Sequence, residues 1–151
     1  MKRSPLSHHH IRSGATLAEY HGWELPSFFT TPEEEAACVV NAVGLADIGG
    51  GMEVPSVSAD LLLAGPRSRD VLSKLTSLNT SDARLPNSSS AQASVAHVRC
   101  LVRREDLPQV PAYHLLIDRD YAESFWEAVL HAGREFELRP FGWDALQLLG
   151  G

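Results

Sequence analysis

What this chain lacks narrows its reading before any motif is considered. Its 151 residues include only two cysteines, Cys38 and Cys100. Both sit inside apolar runs and read as buried small hydrophobes rather than as a disulfide pair. No apolar run approaches the ~20 residues that a membrane-spanning helix needs. The opening MKRSPLSHHHIRSG has a basic pair but no apolar stretch behind it, so it does not read as a secretion signal, and the cytoplasm is the expected compartment. Positive charge is scarce, with 13 Lys and Arg against 19 Asp and Glu, a formal net charge of -6. The cations are scattered apart from Arg99–Arg104, which excludes a nucleic-acid partner, since phosphate binding needs clustered cations. There is no nucleophile elbow, no Ser-His-Asp order, no phosphate loop and no G-x-G-x-x-G ahead of a helix. The triplet Gly49–Gly51 therefore reads as a turn or a close backbone approach.

Seven histidines are present, none with a partner at metal-ligand spacing. His8, His9 and His10 read as lying near an exposed terminus with adventitious metal affinity. His21 and His114 have no second histidine or cysteine at a helical ligand spacing, and His97 is expected on the exposed side of a strand. No metal ligand is expected. Trp23, Trp126 and Trp143 read as core or interface rather than as a cofactor cage.

What is present suits one globular domain: 44% hydrophobic and 21% charged residues can build a core without staples. Residues 1–31 are mixed and turn-rich. Thr31 is placed to cap a helix with Pro32 at its first position and Glu33, Glu34 and Glu35 at its positive end. Apolar residues then run to Val43, and Gly44 is the expected stop. From residue 59 the pattern becomes regular. Strand 59–64, helix 67–76, a polar loop 79–90, strand 93–103, strand 112–117, an amphipathic helix 121–132 behind Asp118, strand 135–138 and a last helix 141–149 are expected. That order predicts an α+β fold: a ferredoxin-like split βαβ module over 59–151, with an antiparallel sheet and helices on one face. Residues 1–58 are expected as a helical and extended N-terminal extension packed on the module.

Three segments resemble the glycine cleavage T-protein family, the tetrahydrofolate-dependent aminomethyltransferases. Ser4-Pro5-Leu6 through Gly22-Trp23-Glu24-Leu25-Pro26 is similar to that family's opening T-P-L and G-W-E-M-P elements. Glu34–Ile48 is similar to its E-E-x-x-A-V-R-x-x-x-G-L-F-D-I passage. Tyr121–Leu149 is similar to the helix and the G-L-R-P-x-G-L-D-A-L-R element that close its first module. The middle of the chain, Ser94–Arg104 with Tyr113–Ile117 and Arg119–Ala122, resembles the gamma subunit of heterotetrameric sarcosine oxidase.

The departures from the family pattern carry as much information. The family's D-G-G-x-x-D-D hairpin bears its catalytic aspartate, and the stretch compared with it here, Val102–Leu107, has no glycine pair and no acidic pair in register. The family's S-H-M-G is Gly49-Gly50-Gly51-Met52, and its strand-end asparagine is Asp118. No catalytic residue is carried over, and no cofactor-binding residue is assigned. Full T-proteins continue after the last shared element and enclose folate between several domains, so one module offers part of that site. The resemblance thus implies a non-catalytic accessory subunit beside a larger flavin- and folate-carrying protein, binding no cofactor alone. The alternative it leaves open is a stand-alone tetrahydrofolate-binding one-carbon transferase that self-associates.

Overall fold

The computed structural model of this chain describes residues 2–49 and 58–151. The chain opens with strand β1 (Lys2–Arg3) and helix α1 (Ser7–Arg12), followed by strands β2 (Thr16–Tyr20) and β3 (Trp23–Phe28). These strands form a three-stranded sheet in the order β1-β3-β2. The turn between β2 and β3 is His21-Gly22, both left-handed (φ 52° and 84°), the backbone that closes a two-residue hairpin in step with strand twist. Helix α2 (Pro32–Asn41) begins as its sequence predicts, with the Thr31 hydroxyl accepting from the Glu34 amide at 3.2 Å.

The main sheet has six strands in the order β6-β7-β8-β5-β4-β9. Its members are β4 (Gly44–Asp47), β5 (Ser58–Ala64), β6 (Ser90–Val95), β7 (Val98–Arg104), β8 (Ala112–Asp118) and β9 (Arg139–Pro140). All pair antiparallel except β4 with β9. Helices α3 (Ser68–Ser73), α4 (Ala122–Gly133) and α5 (Trp143–Leu148) complete the α+β fold. No helix among the described residues is long and apolar enough to cross a membrane.

Side chains alternate across a strand, so β5 feeds two cores. Ala59, Leu61 and Leu63 join Val71, Leu72, Phe125, Trp126 and Val129 under α3 and α4. Leu62 and Ala64 join Val39, Phe141, Ala145 and Leu146 under α2 and α5. Helices therefore cover both faces of the sheet, which corrects the expectation of helices on one face. The physical reason is that β5 and β8 are apolar on both sides, with Leu61, Leu62, Leu63, Leu115 and Leu116 all buried, and each side needs a cover.

Two further differences have local causes. The uninterrupted alternation read as one strand over 93–103 is a hairpin, β6 and β7, turning at Ala96-His97 with both residues left-handed (φ 51° and 64°). His97 thus lies in a turn rather than on a strand face. The strand expected over 135–138 is a 3₁₀ turn, Arg134–Phe136, closed by left-handed Glu137. Pairing resumes only at Arg139, where β4 offers an edge. Asp118 caps a 3₁₀ turn, Arg119–Tyr121, accepting from the Asp120 amide, and α4 starts one turn later.

Candidate functional site

A concave surface lies on the α5 side of the main sheet, where the β2–β3 hairpin and α5 stand over β5 and β8. It is a cavity of about 420 Å³. Its floor is polar. Asp60 of β5 and His114 of β8 point to the same face, and the His114 Nδ1 lies 3.0 Å and 3.2 Å from the two Asp60 oxygens. On the other side of the ring, Nε2 is 3.5 Å from the Glu105 carboxylate. Burial opposes charge on His114, but the Asp60 hydrogen bond and the nearby Asp60 and Glu105 charges outweigh it, and the imidazole pKa is raised above 6.5.

The walls are aromatic and apolar. Tyr20 stacks on Trp143 with ring centroids 5.1 Å apart and planes 27° apart, and His21 meets the same indole edge-on at 5.5 Å. The Tyr20 hydroxyl is 2.5 Å from the Ser27 Oγ and donates to Asp144 at 3.1 Å. Burial pushes its pKa up, the Ser27 hydrogen bond works against this, and Asp144 adds to it. Trp23, Leu25, Ile48, Leu62, Leu107 and Leu146 add to the apolar lining. An imidazole oriented by a carboxylate can take up and release a proton, and among the described lining residues there is no serine, threonine or cysteine to act as a nucleophile.

A second polar cluster lies under α1, on the opposite face. Asp47 of β4 accepts from the Ser4 hydroxyl and from His10 Nε2 (2.9 Å), and its other oxygen accepts from the Gly49 amide at 3.0 Å. All three side chains are buried, and the His10 ring packs edge-on to Trp126 and Phe29. This cluster ties the N-terminal segment to the sheet. It also corrects the reading of the His8–His10 run: these residues form α1, and His10 is in the core.

Other residues singled out from sequence fall in several places. Trp126 is core, whereas Trp23 and Trp143 line the cavity. Cys38 and Cys100 are both unpaired. Met52, with Gly50 and Gly51, lies outside the described residues, and Gly49 packs on the Trp23 ring. Asp118 is exposed at the end of β8. Among the described residues, no group of three or more His, Cys, Asp and Glu side chains is placed to hold a metal ion. His114, read as having no neighbour at ligand spacing, has two carboxylate partners, Asp60 and Glu105, brought by cross-strand pairing rather than by local spacing. Sequence reasoning missed the Asp60–His114 pair for that reason. It also missed the β2–β3 hairpin, although His-Gly between alternating apolar residues is a usable signal.

Residues 51–150 match the family model of the GCVT N-terminal domain. The chain is 27% identical over 120 residues to an aminomethyltransferase of Caldanaerobacter subterraneus subsp. tengcongensis, covering 78% of this chain and 31% of that protein. It is 32% identical over 94 residues to sarcosine oxidase subunit alpha of Rhizobium meliloti, covering 60% of this chain and 9% of that one. It thus spans a third or less of the length of these relatives. Among solved structures, a chain of the heterotetrameric sarcosine oxidase from Corynebacterium sp. U-96, in complex with pyrrole 2-carboxylate, matches with a TM-score of 0.55 at 16% identity. That match covers 89% of this chain and 96% of the other, and at this identity it shows a common fold.

Proposed function

This chain belongs to the GCVT N-terminal domain family, and from that premise we propose that it is a non-catalytic accessory subunit of a larger amine-demethylating assembly of the sarcosine oxidase kind. The observation that carries the proposal is the hairpin at Ala96-His97. A two-residue turn with both residues left-handed is the conformation that a Gly-Gly pair adopts without strain. Registered on that turn, rather than on Val102–Leu107, the family's D-G-G-x-x-D-D motif places its acidic pair at Cys100 and Leu101. Leu101 cannot titrate, and burial pushes the Cys100 thiol up to about 12, so neither position offers a base at neutral pH. The near-complete coverage of a similar chain from a heterotetrameric enzyme further supports a subunit role.

We read β5, α3, β7, β8 and α4 as the split βαβ core of a ferredoxin-like module over 59–151, with residues 1–58 packed on it. The placement of β8 between β5 and β7, antiparallel to both, supports this.

A second reading, a tetrahydrofolate-binding one-carbon carrier, is favoured by the cavity alone. The flat, donor-rich edge of a reduced pterin suits the Asp60 carboxylate between aromatic walls. The glutamate end of that cofactor does not fit, because no lysine or arginine is among the described lining residues to meet its carboxylates.

Two measurements separate the readings. Tagged chain expressed in its native host should recover a larger partner in fixed stoichiometry, identified by its flavin absorbance and amine-dependent reduction. Calorimetric titration of the purified chain with tetrahydrofolate should show no saturable heat. One-to-one folate binding with no flavin-containing partner recovered would overturn the accessory reading.

A further inference from the structure

We propose that the outer edge of the main sheet is a self-association surface, on which a second copy of this chain pairs β6 to β6 about a two-fold axis through Gln92. Among the described residues, β6 is hydrogen-bonded in the sheet to β7 alone. The direction of its backbone groups follows from the ladder. Arg104 donates its amide to the Ser89 carbonyl (2.8 Å) and accepts from the Ser88 amide (2.9 Å), so its peptide groups face the β6 side. Antiparallel ladders alternate, so Val102, Cys100 and Val98 face that side as well, toward their partners Ala91, Ala93 and Val95. Ser90, Gln92 and Ser94 therefore direct their N–H and C=O groups outward, and all three residues are exposed.

Proteins ordinarily blunt such an edge with lysine, proline, a bulge or a covering loop, because unpaired strand groups template further pairing. β6 carries no charged residue and no proline. Its sequence instead reads the same in both directions across Ser90-Ala91-Gln92-Ala93-Ser94. Two copies brought together antiparallel about Gln92 match Ser90 with Ser94, Ala91 with Ala93, and Gln92 with Gln92. Each match of outward-facing residues closes two hydrogen bonds, and this register leaves no outward N–H of these residues unpaired. The contact is isologous, as a two-fold axis requires. Small serine and alanine side chains let the sheets continue into each other. Two cations stand one strand in, on β7: Arg103 opposite Ser90, and Arg99 opposite Ser94 with its guanidinium directed at the Gln92 amide oxygen (3.5 Å); neither is on β6, so no like charges face each other on the new strand pair. A foreign strand could use the same backbone groups, but only a second copy derives the residue-by-residue match from the palindrome. The cavity floor is on β8 and β5, away from this edge, so each copy keeps its own cavity.

Sedimentation velocity of the full chain over a concentration series tests the proposal, with Gln92→Lys, Gln92→Glu and Gln92→Pro alongside. The wild type should be a reversible dimer. Each charged variant sets like charges face to face on the axis and should sediment as a monomer with an unchanged circular dichroism spectrum. Mixing the two charged variants in equal amounts should restore the dimer as a heterodimer. Gln92→Pro removes one outward N–H, which an edge strand tolerates, and should give a folded monomer. A wild type that stays monomeric through the series overturns the proposal. So does a dimer that survives both charged variants, or one that mixing does not restore. Only purified chain is used, so these outcomes are independent of whether a flavin-containing partner is recovered.

Discussion

At the scale of single residues, the chain places carboxylates where backbone or imidazole groups need an acceptor. Glu35 illustrates this. With Glu33 and Glu34 it reads as charge at a helix start, yet it is buried and accepts from the Phe29 amide (2.8 Å), the Thr30 amide (2.7 Å) and the Gly142 amide (2.8 Å). Glu35→Ala leaves those donors unpaired in the interior, and a loss of about 3 kcal/mol in urea unfolding is expected. Asp60 acts on a side chain instead. Because the His114 pKa is raised in the fold, protonation there contributes stability that is fully present below about pH 6.5 and is lost as pH rises through the higher folded value. Asp60→Asn should lower the His114 midpoint in an NMR titration. The stability gap between wild type and variant should be widest in mildly acidic solution and narrow toward alkaline pH. A gap that does not change with pH would contradict the pairing.

At the scale of elements, two hairpins solve the same problem with different chemistry. The β2–β3 turn has glycine at its second left-handed position, Gly22, whereas the β6–β7 turn has His97 there. A side chain in that conformation costs about 1 kcal/mol relative to glycine. His97→Gly should therefore stabilise the chain by about that amount in chemical denaturation, with the fold unchanged. The strained turn persists because both its flanks are held: Val95 and Val98 pair across it, and the Ala96 amide donates to the Leu75 carbonyl beyond α3 (2.9 Å). If His97→Gly proved destabilising, the histidine would have to make a contact that outweighs its backbone cost.

At the scale of the whole molecule, the cavity exists because the small sheet and α5 are locked together over the large sheet. Gly142, just before α5, is the close point: a Cβ there would sit 2.2 Å from the Ser27 carbonyl oxygen of β3. That contact is with backbone and cannot be relieved by a rotamer change. Gly142→Ala should cost about 2–3 kcal/mol through forced separation of the layers. It should also weaken the near-ultraviolet circular dichroism signal of the stacked Tyr20 and Trp143. A variant with native stability and an unchanged aromatic signal would show that the layers are joined elsewhere.

Sequence alone determined the elements with local signatures. The α2 start is encoded in Thr31-Pro32-Glu33, the α4 face in the spacing of Phe125, Trp126 and Val129, and β5 and β8 in dense apolar runs, because capping and periodicity act over a few residues. The family resemblance was legible for the same reason, as short motifs in order. Tertiary structure decided the rest. Asp60 and His114 are 54 residues apart, and His10 and Asp47 are 37 apart. Neither pair has a local pattern, since strand pairing across the sheet creates both. The β6–β7 turn was hidden because Ala96-His97 carries no turn residue and the alternation runs through it. Its backbone is held by the Val95–Val98 pairing and by the Leu75 carbonyl just past α3. Short-range chemistry wrote the elements, and long-range pairing placed the charges and the cavity.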